Sequence, residues 1–196
     1  MTWLQSQFND YNKGVMFLNF GSPVPGVYGM SLEGFKPTES ALLTLVEQVQ
    51  FRQGNASRLA LKVHGGYQFG CEGSSFQSVL AAFLIGASQY CWFTCSQGYY
   101  ITDNIGWYPE YNYSLGPPIG DAVKVSDTYI REFASGTVAV FNASTGNGTV
   151  FWVDFYPTPN HFPLWLQNLL VKQHSIGINI FHVLQQTKQK SHLNAL

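Results

Sequence analysis

The alternation of short apolar runs with helical patterns between residues 15 and 96 constrains the fold more than any other feature of the sequence. Near-continuous apolar strands that alternate with helices are typical of a parallel sheet in an α/β fold. The predicted strands are Val15–Phe20, Val27–Glu33, Arg58–His64 and Gln89–Ser96. The first two strands depart from this pattern, because the segment that joins them is too short for a crossover helix.

Two helices are predicted between these strands. Thr38 can cap the first helix, which runs to about Phe51. The apolar residues of this helix follow the i, i+3, i+4, i+7 spacing of one face: Leu42, Leu45, Val46 and Val49. The second helix is predicted at about Phe76–Ser88, with Ser74 or Ser75 as its cap. It is apolar nearly all round, so it should be buried.

The composition of the chain changes after Ser96. A long loop rich in aromatic residues, Pro and Gly comes first, and loops of this length are usually functional or disordered. Its many aromatic residues argue against disorder. Alternating patterns then predict a small antiparallel β unit at Val123–Val153, with a turn at Ser135–Gly136. The remainder, 154–196, is an extension with one amphipathic helical pattern around Leu164–Val171.

The charge and the aromatic content bear on the class of ligand. The net charge is −1, so nucleic acid and an anionic membrane surface are not expected as partners. No apolar run is long enough to span a membrane. Only 11% of the residues are charged and 16% are aromatic. A surface of this kind suits a carbohydrate partner, because sugar rings stack on aromatic faces; an ordinary aromatic-rich core explains the composition equally well.

Four N-x-S/T sequons favour a secretory route, on which such sites lie in surface loops. The predicted glycosylation sites are Asn55, Asn112, Asn142 and Asn147. The first residues, "MTWLQSQFNDYNKG", contain neither a basic region nor an apolar core of a signal peptide. We therefore expect an extracellular protein whose leader lies upstream of this chain, or else unused sequons.

The three cysteines allow at most one internal disulfide. If Cys91 and Cys95 share a strand, they lie about 13 Å apart at roughly 3.3 Å per residue, which is too far for a disulfide. Cys71 can pair with either of them. A zinc site is not expected, and no other metal or cofactor is expected either.

In a parallel β/α array, functional side chains gather at the C-terminal ends of the strands. Glu33, Lys62, His64 and Asn19 are predicted to converge at this rim. Glu33 could act as a general acid, a base or a nucleophile, or it could form a structural ion pair with Lys62. For His64 a polar histidine at a loop edge is the favoured interpretation, and a nucleophile pair of His64 with Cys95 is a further candidate.

Glycoside hydrolysis normally requires a second carboxylate near the first. The acidic residues that could reach the same rim lie in the loops after the third and fourth predicted strands: Glu72, Asp103 and Glu110. The spacing of the sequence does not select among them.

Five stretches of the chain resemble glycoside hydrolase-like proteins of the TIM-barrel type, in particular the family described as glycosyl hydrolase-like 15. They are "GMSLEGF", "LALKVHGG", "LAAFLIGASQYCWFTCSQGYY", "WYPEYNYSLGPPIGDA" and "YIREFASGTVAVFN". The similarity covers about Val15 to Val153.

The resemblance implies an α/β fold in which residues 15–122 form the C-terminal half of a (β/α)8 barrel, about its last four strands. Residues 123–153 would form a terminal β-hairpin unit. A whole barrel needs about 250 residues, so the chain could be inactive as a fragment. The resemblance also makes Glu33 the candidate catalytic carboxylate.

The sequence therefore predicts a secreted O-glycosyl hydrolase in which Asp103 or Glu110 assists Glu33. The residues expected to stack on sugar are Trp107, Tyr108 and Tyr111. One alternative is a non-catalytic carbohydrate-binding or matrix protein, and another is a truncated pseudo-enzyme that does not fold alone. Arg131 and Glu132 are expected to be structural, with Arg131 fixing the β unit to the barrel.

Overall fold

The computed structural model of the protein describes residues 17–19, 29–55, 60–66, 70–97, 107–153 and 162–168. Only the backbone is described for residues 17–19, 29–30, 51–55 and 60. The chain forms two compact units, Met1–Val150 and Phe151–Leu196.

The first unit contains a four-stranded parallel sheet whose strands follow one another in chain order. The strands are β1 (Phe17–Asn19), β2 (Gly29–Phe35), β3 (Ala60–Gly65) and β4 (Cys91–Cys95). Helix α1 (Glu39–Asn55) joins β2 to β3, and helix α2 (Gly73–Gly86) joins β3 to β4. The predicted α/β class is confirmed, and β1 also pairs with β2 in parallel although the segment between them is too short for a crossover helix. In the described part of the chain the strands do not close into a barrel.

Helix α1 begins as its sequence predicts. The Thr38 hydroxyl accepts a hydrogen bond from the backbone N–H of Ala41, which satisfies one of the free donors of the first turn. Of the predicted apolar face, Leu42, Leu45 and Val49 are buried. The helix continues to Asn55, one turn beyond the predicted end.

Helix α2 begins earlier than predicted. Its N-cap residue is Glu72, whose side chain makes no capping hydrogen bond, so the prediction of Ser74 or Ser75 as the cap was wrong. The prediction that this helix is buried is confirmed: Phe76 and residues 78–86 are all buried. It contacts α1, β4 and the antiparallel sheet, and these neighbours account for its apolar character all round.

The predicted β unit is an antiparallel sheet in chain order. Its strands are β5 (Val123–Val125), β6 (Thr128–Glu132), β7 (Val138–Asn142) and β8 (Asn147–Phe151). The predicted turn at Ser135–Gly136 joins β6 to β7, and Gly136 adopts a positive φ of 93° that favours glycine. The sheet packs on α2 through β6 and β7, and the Gly148 N–H donates to the Ser78 hydroxyl of that helix.

Arg131 of β6 binds the C-terminal end of α2. Its Nη1 lies 3.1 Å from the carbonyl oxygens of Leu84 and Ile85 and also donates to the carbonyl of Ala87. These carbonyls lack partners within the helix, so the cation both satisfies them and matches the negative end of the helix dipole. The predicted structural role of Arg131 is confirmed.

A second link joins the antiparallel sheet to the start of α1. The Glu39 carboxylate accepts hydrogen bonds from Lys124 and from the Tyr129 hydroxyl, each at 2.6 Å. The Lys124 ammonium, and then the Tyr129 hydroxyl, lower the pKa of Glu39. The carboxylate also lies in the first turn of α1, where negative charge is favourable.

In the second unit the structure describes residues 151–153 and 162–168. Residues 164–168 are helical, which confirms the first part of the helix predicted at Leu164–Val171; the rest of that prediction lies outside the described residues. The Phe151 ring packs against the rings of Phe162 and Trp165 at centroid distances of 5.8 and 5.9 Å.

Candidate functional site

The two faces of the parallel sheet differ in chemistry. On β3, Leu61 and Val63 are fully buried. Gly65 lies on the same face of the strand, where a Cβ would meet Val79 of α2. Lys62 and His64 alternate with them and therefore project from the opposite face. In the neighbouring strands, Ser31 and Trp92 are in register with Lys62. The polar face of the sheet is thus the one turned away from the helices.

Glu33 lies at an irregularity near the end of β2. The register between β2 and β3 shifts between Leu32 and Phe35, so that two residues of β2, Glu33 and Gly34, lie opposite His64. Gly34 has a φ of 65°, a conformation that favours glycine. A bulge of this kind redirects a side chain at a strand end, and here Glu33 is directed towards His64.

Glu33, His64 and Ser96 form a continuous chain of hydrogen bonds across three adjacent strands. Glu33 Oε2 lies 2.7 Å from His64 Nδ1, and His64 Nε2 lies 2.7 Å from Ser96 Oγ. Ser96 follows the last residue of β4, and its backbone N–H donates to the Gly65 carbonyl at 3.2 Å. All three side chains therefore lie at the C-terminal ends of their strands.

The burial of these side chains decides how firmly they are held. His64 is 3% exposed and Ser96 is 5% exposed. The Glu33 side chain is 19% exposed and receives a further hydrogen bond on Oε1 from the Ser31 hydroxyl. Lys62 Nζ lies 4.0 Å from Oε1, but its side chain is 47% exposed, so this ion pair adds little stability.

The hydrogen bonds also fix the tautomer of a neutral His64. An ionised carboxylate only accepts hydrogen bonds, so the proton lies on Nδ1, facing Glu33. Nε2 then carries a lone pair that accepts the Ser96 O–H. The arrangement leaves a basic nitrogen directed at a serine hydroxyl.

The predicted rim is thus assembled in part. Glu33, Lys62 and His64 come together as predicted, but His64 is buried within β3 and is not a histidine at a loop edge, so that interpretation was wrong. Asn19 ends β1 in register with Ser31, and its side chain is not described. Asp103 lies outside the described residues.

The other predicted site residues lie on the helix side of β4. Tyr108 stacks on Phe76 of α2 with a centroid distance of 4.1 Å, and Tyr111 meets the edges of Phe76 and Phe93. Phe93 precedes Thr94, the register partner of His64, so it projects from the opposite face. Trp107 packs on Tyr111 and is 72% exposed.

Glu110 belongs to this aromatic group as well. It lies in a short 3-10 helix, Pro109–Asn112, and its Oε1 accepts a hydrogen bond from Gln77 of α2 at 2.7 Å. The contacts shown for Glu33 among the described residues include Ser31, Lys62 and His64, none of which is a carboxylate. The structure therefore does not show a carboxylate pair in the part of the chain it describes.

Comparison with known families gives a direct assignment for most of the chain. A model of the family described as hypothetical glycosyl hydrolase family 15 matches residues 1–137. The chain belongs to this family. Among curated proteins, none matches it. The match to the hypothetical glycosyl hydrolase family ends immediately before β7 begins at Val138, whereas the resemblance seen in the sequence extends to about Val153.

Within this glycosyl hydrolase-like chain, the disulfide lies next to the hydrogen-bonded triad. Cys71 and Cys95 are joined, with their Cα atoms 5.7 Å apart, and Cys91 takes no part. Cys95 ends β4 and precedes Ser96, and Cys71 lies two residues before α2, so the disulfide ties the end of β4 to the residues just before that helix. It also excludes Cys95 as a thiol nucleophile for His64.

Three of the predicted glycosylation sites have described side chains. Asn112 and Asn147 are exposed. Asn142 is partly buried: its Oδ1 accepts hydrogen bonds from Ser144 and Thr145, and its Nδ2 donates to Thr128. Asn55 ends α1, and only its backbone is described.

Two further features concern the described residues alone, namely metal ligation and the crossing of a membrane. No group of three or more His, Cys, Asp or Glu side chains is placed there to hold a metal ion. None of the helices described has the length and apolar character needed to cross a bilayer.

The sequence alone missed Ser96 as a member of the site. Ser96 belongs to the site because it follows β4 directly and alternates with Thr94, the register partner of His64. That register cannot be read from the sequence, because it depends on pairing between strands separated by α2.

Proposed function

We propose that the protein is a carbohydrate-active hydrolase in which Glu33 is the catalytic carboxylate. The observation that carries the proposal is the position of Glu33: it lies at the C-terminal end of a parallel strand, on the face away from the helices, in a chain of the glycosyl hydrolase-like family. Ser31 and His64 bind its two oxygens, and this holds the carboxylate in one orientation.

The strand order is consistent with part of a (β/α)8 barrel. The strands are parallel and in chain order, and right-handed crossovers then place successive helices on the same side of the sheet. The contact between α1 and α2 agrees with that winding. In such a barrel the polar face of the sheet would line the interior and the rim would face the substrate.

The reaction would need a second carboxylate besides Glu33. In retaining enzymes the two groups lie about 5–5.5 Å apart, and in inverting enzymes about 6.5–9.5 Å apart. Of the predicted partners, Glu110 is bonded to Gln77, so Asp103 becomes the better candidate. Lys62 Nζ lies 4.0 Å from Glu33 Oε1 and would also face a substrate bound at this rim.

The test is hydrolysis of a panel of aryl glycosides and polysaccharides by the wild-type chain and by Glu33→Gln. The expected result is turnover by the wild-type chain that falls on the order of 100-fold or more in the variant. Glu47→Gln, an exposed change on α1, is the matched control. Equal turnover in the wild type and Glu33→Gln would overturn the role of Glu33.

Non-catalytic carbohydrate binding is the second candidate function, and the exposed indole of Trp107 favours it. An exposed aromatic face can stack on a sugar ring without any carboxylate pair. Glycan-array binding that survives Glu33→Gln but is lost in Trp107→Ala would support this function. Trp165→Ala, which removes another exposed indole, serves as the control.

The proposed setting is extracellular. The Cys71–Cys95 disulfide is of the kind that persists in oxidising compartments, and the four sequons fit the same route.

A further inference from the structure

The hydrogen-bonded chain from Glu33 through His64 to Ser96 has a feature that glycoside hydrolysis does not use. Cleavage of a glycosidic bond by two carboxylates has no role for a serine hydroxyl. Yet the Ser96 hydroxyl lies 2.7 Å from the nitrogen of His64 that faces away from Glu33. The order is carboxylate, imidazole, hydroxyl, which is the order of an activated serine nucleophile.

We propose that Ser96, activated by His64 and Glu33, is the nucleophile of an acyl-transfer reaction that hydrolyses small carboxylic esters. His64 is the general base, because its Nε2 lone pair faces the Ser96 O–H. Glu33 is a positioning residue for this reaction, because it holds the imidazole in the tautomer that leaves Nε2 unprotonated. This chemistry does not rest on the proposed glycosidase activity.

Three independent elements hold the triad in place. His64 lies within β3, which pairs with β2 on one side and β4 on the other, and it is almost fully buried. Ser96 is fixed by its backbone bond to Gly65 and by the adjacent Cys71–Cys95 disulfide. Glu33 is fixed by the bulge in β2 and by the Ser31 hydroxyl. Groups held on a rigid sheet retain the alignment that proton transfer requires.

The reaction proceeds in two balanced halves. Ser96 Oγ forms a bond to the ester carbonyl carbon while its proton passes to His64 Nε2. The carbonyl–alkoxy bond then breaks, and His64 gives the proton to the departing alkoxide, leaving an acyl ester on Ser96. Water attacks that ester, gives a proton to His64, and releases a carboxylic acid as the proton returns to Ser96 Oγ.

The burial of Ser96 limits the substrate. Because Ser96 is only 5% exposed, the proposed substrate carries a short acyl chain such as acetyl rather than a long one. The approach is from the face that carries Lys62 and Trp92, both of which are about half exposed. A small acyl group on a larger alcohol is therefore the class of ester that the geometry favours.

The experiment uses a fluorophosphonate probe on the full chain, followed by peptide mass spectrometry. The expected result is a single adduct on Ser96, with hydrolysis of 4-nitrophenyl acetate that decreases on prior labelling. Ser96→Ala should abolish both, and His64→Gln should lower the rate of labelling on the order of 100-fold or more. Ser74→Ala, an exposed serine at the start of α2, should label like the wild type.

The mapped adduct does not depend on any variant folding, because it is read on the wild-type chain. Absence of the adduct, or its appearance only on another residue, overturns the proposal, as does unchanged ester hydrolysis in a folded Ser96→Ala chain. Labelling of Ser96 without aryl-glycoside turnover would support this inference while the glycosidase proposal fails. Glycoside turnover without labelling would be the reverse result.

Discussion

The carboxylate of Glu33 lies 2.7 Å from Nδ1 of His64, at the point where the bulge near the end of β2 faces β3. This contact joins two residues separated by the whole of α1. The contact gives the buried imidazole a hydrogen-bond acceptor and holds the carboxylate in one orientation. Both proposed reactions depend on this contact, because one uses Glu33 directly and the other uses it to orient His64.

Removal of the acceptor should destabilise the protein. Glu33→Ala leaves the Nδ1–H of the buried His64 without this partner, at a cost of about 1–3 kcal/mol in the free energy of unfolding. Glu33→Gln can still accept the same hydrogen bond through its amide oxygen, so its cost should be smaller. Urea denaturation measures both, with the exposed Glu47→Ala as the control. Equal losses in the Ala and Gln variants would contradict this account.

Arg131 should be the most sensitive cation in the described part of the chain. Burial lowers the pKa of its guanidinium, while the Asp121 carboxylate opposes this shift. Its bonds to three carbonyls at the end of α2 and to the Gly120 carbonyl are charge-assisted. Arg131→Lys should cost about 1.5–3 kcal/mol of unfolding free energy, because a lysine ammonium cannot reproduce the several N–H donors of the planar guanidinium.

Lys124→Ala is the control for the Arg131 experiment. Its ammonium bonds Glu39 at the surface, where ion pairs contribute about 0–1 kcal/mol. If Lys124→Ala loses as much unfolding free energy as Arg131→Lys, surface charge accounts for the effect and the carbonyl contacts do not. Thermal or chemical unfolding at one ionic strength measures both variants.

The Cys71–Cys95 disulfide should stabilise the first unit strongly. The two residues are separated by 24 positions, and the chain-entropy model gives about 3–4 kcal/mol for a loop of this length. Replacing both cysteines with serine should therefore lower the urea midpoint, and reduction of the wild type should do the same. Cys91→Ser is the control: its urea midpoint should still fall when the disulfide is reduced, because Cys91 takes no part in it. A midpoint unchanged by reduction in the wild type would argue against the disulfide.

Glycan attachment should differ among the sequons. In a secretory host, Asn112 and Asn147 should carry N-glycans because both are exposed. Asn142 should be occupied less, because its Nδ2, the attachment atom, is bonded to Thr128 and its Oδ1 closes the turn before β8. Peptide mapping after enzymatic deglycosylation measures each site. Full occupancy at Asn142 with Asn112 empty would be the opposite result.

The sequence predicted features that depend on local chemistry. Thr38 caps α1 because a hydroxyl there satisfies a free N–H, and the apolar spacing of Leu42, Leu45 and Val49 determines the buried face. The structural role of Arg131 was expected from the resemblance, which places its strand next to the barrel. The burial of His64 and its contact with Ser96 could not be predicted, because both arise from the register of strands that are far apart in sequence.

Tyr111 provides a test through pH. Burial raises the pKa of its hydroxyl to about 12 from the ordinary value of 10.0. The hydroxyl faces the Cys95 backbone, but it makes no hydrogen bond of normal geometry within the described residues. Replacing a buried unpaired hydroxyl with hydrogen is nearly neutral or stabilising, so Tyr111→Phe should be at least as stable as the wild type at neutral pH.

The sign of the pH effect on Tyr111 follows from linkage. Because the folded pKa exceeds the unfolded one, the neutral phenol contributes stability that is fully present below about pH 10 and is lost as the pH rises towards 12. The wild type should therefore lose more unfolding free energy than Tyr111→Phe between pH 9 and about pH 11. Urea midpoints at both pH values measure this, with Tyr113→Phe as the matched control. Parallel losses in the wild type and in Tyr111→Phe would show that Tyr111 titrates like an exposed tyrosine.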